Sequence, residues 1–307
     1  MSTTNYCQVY AEQLALEGHG TALWDPSPVI GAGDESYDFI HIGDVGWIDS
    51  GKFRLLFRAA EPLGNRIPGQ HVPEKFEPLD CGNDVQLTDL PPYRITAGSS
   101  STVGASAGVA ASVPAVTTID MGSSLGFESS QSRCAILLTE RPIFRKVAGK
   151  GGNCERYIRK HYPSWQRFAS DRGYGDIDLL LVTGTEMTRD FAALVHASSS
   201  QRLQARFNPV SSIGGSAHVA VWGQWSHYGS AHTICGPTNV VQQGHYDQCV
   251  FLKAWRRRSR IFPRFTMKAA AEPEDLSKHL DDDNLSEADR MDTLKSEQDD
   301  DDTFEQD

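Results

Sequence analysis

Ile177-Asp178-Leu179-Leu180-Leu181-Val182-Thr183-Gly184 is the stretch whose reading decides the fold. Four successive aliphatic side chains in so short a run read as a strand buried on both faces, with Thr183-Gly184 ending it. Just upstream, Ile158, Tyr162, Trp165 and Phe168 recur at spacings of four and three, an apolar stripe of helical period. Gly149-Lys150-Gly151-Gly152 precedes that helix, Asn153 is its expected N-cap, and Pro163 marks a kink or the start of a second helix. A buried strand behind one amphipathic helix suits a mixed fold.

Outward from this centre the pattern is strand. Residues 39–48 and 53–57 form an apolar pair of runs around Asp49-Ser50-Gly51-Lys52, a hairpin signal. Cys134-Ala135-Ile136-Leu137-Leu138 reads as a second buried strand, and Cys249 to Trp255 as the last. Phe191 to Val195 fits a short helical or extended piece. Residues 61–92 carry six prolines and read as a long loop with short extended pieces. Residues 98–126 resemble low complexity, but their parity is informative. Odd positions from 103 to 121 read Val, Ala, Ala, Val, Ala, Val, Ala, Thr, Ile, Met, and even positions from 102 to 120 read Thr, Gly, Ser, Gly, Ala, Ser, Pro, Val, Thr, Asp. A period of two marks a strand with a drier and a wetter face, and Pro114 marks an edge or a bend. The expectation is an α+β fold: one strand-rich domain over 1–270 with a central helical segment, then a disordered acidic C-terminal tail over 271–307.

Charge separates these two parts. The chain has 29 Lys+Arg and 40 Asp+Glu, net −11, yet from Ala271 onward sixteen acidic residues face three basic ones. The tail therefore carries −13 and the body +2. Such a tail lacks the apolar surface to offset ordering entropy. Directly before it, Lys253, Arg256, Arg257, Arg258, Arg260, Arg264 and Lys268 crowd together with Phe262 and Phe265 among them. A basic-aromatic run followed by an acidic tail suggests electrostatic self-masking. Arg256, Arg257, Arg258, Arg260, Phe262 and Phe265 are the candidate binding residues. Their partner is a protein or an anionic lipid surface, and the same charge also suits nucleic acid.

Catalytic motifs are incomplete. Gly149-Lys150 has Phe144 where a phosphate loop needs its first glycine, and Thr185-Glu186-Met187-Thr188 replaces the glycines of a dinucleotide turn. Gly214-Gly215-Ser216-Ala217-His218 comes nearest a nucleophile elbow, with His in place of the last Gly. Ser216 and His218 share a strand face, so together with His232 they are the candidate residues of a hydrolase-type alternative. His218, His227, His232 and His245 lack metal-site spacing, and none of the six cysteines forms a C-x-x-C pair, so neither metal nor cofactor is expected. Asp44, Asp49 and Asp178 fit turns and strand ends better than acid–base work. Unpaired thiols and the absence of a leader pattern in Met1–Gly20 point to a cytoplasmic or nuclear setting. No apolar run is long enough for a helical membrane span.

Ile42-Gly43-Asp44-Val45-Gly46, Leu179-Leu180-Leu181-Val182-Thr183-Gly184 and Gln248-Cys249-Val250-Phe251-Leu252-Lys253 resemble motifs of an uncharacterised protein family of mushroom-forming fungi. Leu23-Trp24-Asp25-Pro26 and the helix from Tyr157 to Trp165 extend the resemblance over residues 18–256. It implies a fungal, intracellular origin and brings no activity and no catalytic residue. The reading favoured here is a non-enzymatic module that acts by contact. In its sharper form, the 103–121 stretch rearranges into a transmembrane hairpin, for which a spanning strand needs only ~9–11 residues.

Overall fold

A computed structural model describes residues 5–30, 37–60, 71–80, 85–98, 100–104, 124–149, 151–198, 202–209, 223–236, 246–257 and 304–306. The elements in chain order begin with α1 (Tyr6–Ala15), β1 (Thr21–Ala22), β2 (Val29–Ile30), β3 (Tyr37–Asp38), β4 (Asp44–Asp49) and β5 (Lys52–Arg58). Next come β6 (Val85–Leu90), β7 (Arg94–Ala97), β8 (Ser100–Gly104), β9 (Ser124–Ser129), β10 (Arg133–Leu138), β11 (Ile143–Ala148) and α2 (Gly151–Asp171). The remainder are β12 (Leu180–Thr188), β13 (Phe191–Ala197), β14 (Leu203–Pro209), β15 (Gly223–Tyr228), β16 (Ala231–Gly236), β17 (Gln248–Arg257) and β18 (Phe304–Gln306). The fold is α+β and strand-rich, as the sequence suggested.

β12 is the spine. All nine of its residues are buried, and it pairs antiparallel with β11, β17 and β4 in an eight-stranded main sheet. Thr183-Gly184 does not end this strand. The register with β17 shifts between Val182 and Gly184, so Thr183 is accommodated in a bulge and pairing resumes to Thr188. The β4–β5 hairpin forms at the expected turn, where Ser50 and Gly51 both take positive φ, the geometry of a two-residue hairpin loop. Gly51 is needed twice over there, since a β carbon would also come 2.6 Å from Cβ of Trp24.

α2 lies against the main sheet through Cys154, Ile158, Tyr162, Trp165 and Ala169, which meet Val45, Phe57, Leu179 and Leu181. It begins at Gly151, so Asn153 sits inside the first turn instead of capping it, and its side chain accepts a 3.0 Å bond from Arg156. Pro163 lies within a single uninterrupted helix, because the stripe on both sides of it is held by one core. α1 is an element that the sequence pattern did not reveal. Asn5 caps it by accepting from the amides of Cys7 and Gln8. Only Cys7, Val9, Tyr10 and Leu14 are buried in its ten residues, a stripe too diluted to stand out.

The proline-rich loop also holds a surprise. Residues 71–80 have no regular structure, but Val85–Leu90 is an edge strand on β11 that stops at Pro91-Pro92. Leu87 stands 61% exposed on that edge, so burial never marked it. Phe191–Ala197 resolves as a strand. Of the alternating segment, the two ends are strands β8 and β9, and residues 105–123 lie outside those described.

Two four-stranded sheets complete the fold. The inner sheet has the order β16-β13-β10-β7 and the outer sheet β15-β14-β9-β8. The inner sheet is covered on both faces. Ala135, Leu137, Ala193 and Val195 meet α1 and Phe251 of the main sheet, and Cys134, Ile136, Leu138, Ala192 and Leu194 meet the outer sheet. Trp165 is 1% exposed and wedged edge-on against Phe57. Trp165→Ala is expected to cost about 3–5 kcal/mol in chemical unfolding, mainly through the cavity left under α2.

Candidate functional site

The two smaller sheets are one four-stranded sheet folded back on itself. Each outer strand continues directly into the inner strand at the same place in the order: β8 with β7, β9 with β10, β14 with β13, β15 with β16. The fold line passes Gly98, Ser130-Gln131-Ser132, Ser198, Arg202 and Gly229-Ser230 among the described residues. Small and polar residues dominate it, and two glycines there take φ of +72° and +108°, which reverses the chain at no steric cost. A β carbon on Gly98 would come 2.7 Å from the Arg133 carbonyl oxygen. The Ser129 hydroxyl donates to the Gly98 carbonyl at 2.5 Å and accepts from the Gln131 amide at 3.1 Å. A groove of about 550 Å³ opens along this line, between Gly98, Glu128, Gln131 and Arg202.

Register sets every outer strand to the same parity. Val103 pairs with Leu125, Leu125 with Phe207 and Phe207 with Trp225. Odd-numbered residues therefore share one face. Leu125, Phe127, Leu203, Ala205, Phe207 and Trp225 pack from it onto the inner sheet, with the Trp225 ring 5.1 Å from Phe207 and 5.6 Å from Phe127. Glu128, Gln204, Arg206, Gln224 and Ser226, all even, are exposed on the other face. Gly223 lies under the Phe207 ring with no room for a side chain.

The segments joining β8 to β9 and β14 to β15, residues 105–123 and 210–222, lie outside the described residues, and their sequences continue this pattern in part. In the second, odd positions hold Ser211, Ile213, Gly215, Ala217, Val219 and Val221, and even positions hold Ser212, Gly214, Ser216 and His218 together with the apolar Val210, Ala220 and Trp222. Charge is nearly absent from both. From Ile95 to Phe127 Asp120 is the only charged residue, and from Phe207 to Tyr246 there is none, in a chain that is 22% charged. Charges reappear as Glu128 and Arg202 near the fold line and Arg206 in the middle of β14.

A polar cluster fastens this folded sheet to the main sheet. Glu186 on β12 is 1% exposed. It accepts from the Tyr93 hydroxyl at 2.5 Å and from Arg145 Nε at 2.7 Å. His19 Nδ1 lies 3.0 Å from Arg145 Nη2 and 3.3 Å from Glu186 Oε1. The His19 ring lies on Tyr93 and Phe251, with centroids 4.8 and 5.0 Å away. Tyr93 immediately precedes β7, so the cluster ties the first strand of the folded sheet to β11, β12 and the α1–β1 loop. Burial pushes the Glu186 carboxyl up, but contact with His19, the Tyr93 bond and the Arg145 charge outweigh it and hold it below the usual carboxylate range. Burial and the Glu186 charge push the Tyr93 phenol up. Burial, then the Arg145 charge, pushes nearby Lys253 down. A carboxylate held ionised beside a phenol held protonated does not exchange protons near neutral pH; this is a clamp. The sequence signal for it was an acid inside the buried run 180–188, since a charge in a central strand requires partners.

The residues singled out from sequence are dispersed. Arg256 and Arg257 lie at the end of β17, where the acidic C-terminus returns: Trp255 pairs with Gln306, Arg256 with Glu305 and Arg257 with Phe304. The expectation of a tail without structure therefore does not extend to β18. Arg258, Arg260, Phe262 and Phe265 lie outside the described residues, as do Ser216, His218 and His245. His232 is on β16 of the inner sheet, stacked on Tyr6 at 4.3 Å, whereas His227 is exposed on β15 of the outer sheet. Asp44 is a buried turn anchor, accepting from the His41 amide at 2.8 Å with Arg58 3.5 Å away. Among the described residues no three His, Cys, Asp or Glu side chains group as metal ligands, and no helix is long and apolar enough to cross a membrane.

No protein family, curated protein or solved structure matches the chain.

Glu186→Gln leaves Arg145 without its counter-charge and should lower stability near neutral pH by roughly 1–3 kcal/mol. The sign in pH follows from the lowered carboxyl pKa. Its contribution is full above the unfolded-state value and lost as pH falls through the folded one. Urea unfolding should therefore show the variant's deficit shrinking in acid; a constant deficit would mean that the charge of Glu186 is not what matters.

Proposed function

We propose that the protein acts on membranes by contact with an anionic surface, followed by release of the folded sheet, whose outer half extends into the bilayer as two β-hairpins. One observation carries this reading. The outer sheet ends in two connections that hold a single charge, Asp120, and whose apolar residues fall mainly on odd positions, and its apolar face packs against the inner sheet.

The dimensions suit the reading. A spanning strand needs ~9–11 residues, and about thirty residues run from β8 through β9, with about twenty-six from β14 through β15. Continued tipward from Gly104↔Ser124, the β8–β9 register closes at Pro114. Continued from Pro209↔Gly223, the other closes at Ser216, just after Gly214-Gly215. Proline and glycine are turn residues, so each hairpin has turn chemistry where its own register asks for it. In the extended form the odd face, with Val109, Val113, Ile119, Val219 and Val221, meets lipid, and the even face, with Ser106, Ser112, Thr118 and Ser212, meets water. Tyr228, 80% exposed near the fold line, stands where an aromatic anchors at the interface.

Basic residues after Ala254 supply the first attraction, and the acidic tail restrains it through charge and through β18. Each arginine near an anionic membrane contributes ~1 kcal/mol. Ending the chain at Ala270 should therefore raise binding to anionic vesicles by at least about tenfold at low salt, and Arg256, Arg257 and Arg258 changed together to Ala should cancel the gain. Sedimentation with vesicles reads this. Unchanged binding at low salt would remove the masking from the account.

Dye leakage from anionic vesicles tests insertion itself. Asp at Ala107, Val109 or Val219 should suppress leakage strongly, because a charge on the lipid face costs several kcal/mol at mid-bilayer. Asp at Ser106 or Ser212 should leave most of it. Equal effects at both parities, or no leakage from any form of the chain, would rule the reading out.

A further inference from the structure

We infer that a second copy of this chain is the partner of the outer sheet's edges, with β8 of one copy pairing to β15 of the next in a head-to-tail ring. The inference rests on the membrane reading and goes one step beyond it, to how many chains the inserted form requires and which strands join them.

The argument begins with what one copy leaves unfinished. Among the described residues β8 pairs only with β9, and β15 only with β14. Both are edges, each presenting a row of unpaired amides and carbonyls. In water such an edge is tolerable. In hydrocarbon every unpaired backbone group costs several kcal/mol, so only a closed barrel can span. Four strands are too few to close around even a packed interior, for which about eight are needed. The missing strands must come from other chains.

Strand direction then selects the joint. β8 is antiparallel to β9, β9 to β14 and β14 to β15. β8 and β15 consequently run in opposite directions, and placed side by side they continue the same antiparallel ladder. The alternatives fail on geometry. Antiparallel pairing of β8 to another β8 turns the second copy upside down, leaving the two main sheets on opposite sides of the bilayer. A copy related instead by a two-fold axis along the strands stays upright, with β8 parallel to β8, but puts the odd face of one copy beside the even face of the other, so lipid would meet Gln204 and Arg206. Only β8 against β15 keeps every main sheet on one side and the apolar face continuous. It is a heterologous contact that closes into a ring, and the strand number is a multiple of four.

Cross-linking on vesicles decides it. Thr102 and Ser226 occupy one row of the sheet, through Thr102↔Gly126, Gly126↔Arg206 and Arg206↔Ser226, on the even face. Full-length Thr102→Cys and Ser226→Cys proteins are bound separately and as a mixture to anionic vesicles at physiological salt. They are treated with a flexible bis-maleimide, which tolerates the stagger a barrel introduces, alongside the parent chain as the control for native thiols. The expected result is cross-linked dimers in the mixture and not in either protein alone, and a ladder of multimers when one chain carries both cysteines. Dimers of Thr102→Cys with itself overturn the head-to-tail ring. Leakage without any cross-link also overturns it while the membrane reading stands. A ladder without leakage upholds the strand pairing and overturns insertion. Neither ladder nor leakage overturns both.

Discussion

Leu125, Phe127, Leu203, Phe207 and Trp225 form an apolar face that has to be kept from water, and the rest of the architecture is arranged around that need. Burying a Leu or Phe side chain contributes about 1.5–3 kcal/mol, so four of these residues alone amount to something on the order of 10 kcal/mol. That is comparable with the entire stability of an ordinary domain, about 5–15 kcal/mol. The outer sheet therefore does not leave the inner sheet in water. On the proposed reading lipid changes the balance, because a hydrocarbon phase can replace the inner sheet as the cover for the same face.

Sealing one face makes demands on the next layer. An inner sheet with apolar residues on both faces needs a second cover, and α1 with Trp24 and Phe251 supplies it. The main sheet in turn is covered by α2 on Leu179 and Leu181. Where these covers meet, Glu186, Arg145, Tyr93 and His19 form a polar seam. A buried charge set of this kind adds less to stability than well-packed apolar residues would, but it is directional. It holds the root of β7 in one place, beside a fold line whose residues are mostly Ser and Gly.

The charge distribution follows the same division. Charged side chains crowd the C-terminal strand and its tail, and they thin to two across the first hairpin, Asp120 and Glu128, and one across the second, Arg206. A soluble surface strand ordinarily carries charge on its wet face. Its replacement by Ser, Thr and Gly keeps the wet face polar without the penalty a full charge meets in a bilayer. The return of the acidic C-terminus to Trp255–Arg257 sets Glu305 opposite Arg256 in the strand register.

Local patterns in the sequence determined the β4–β5 hairpin, the buried strands β10, β12 and β17, the stripe of α2 and the two-residue period of the 98–126 region. Each rests on spacing or turn chemistry within a few residues. α1 escaped because its apolar stripe is weak, β6 because prolines surround it, and the continuation of β12 past Gly184 because a bulge imitates a strand end. Glu186 was in plain view, but its role depends on Tyr93, Arg145 and His19, up to 167 residues away. Tertiary structure alone decided that four outer strands lie over the inner strands they continue. Alternation specifies that a strand has two unlike faces; which surface covers the drier one is a matter of pairing between distant strands, and no local signal carries that.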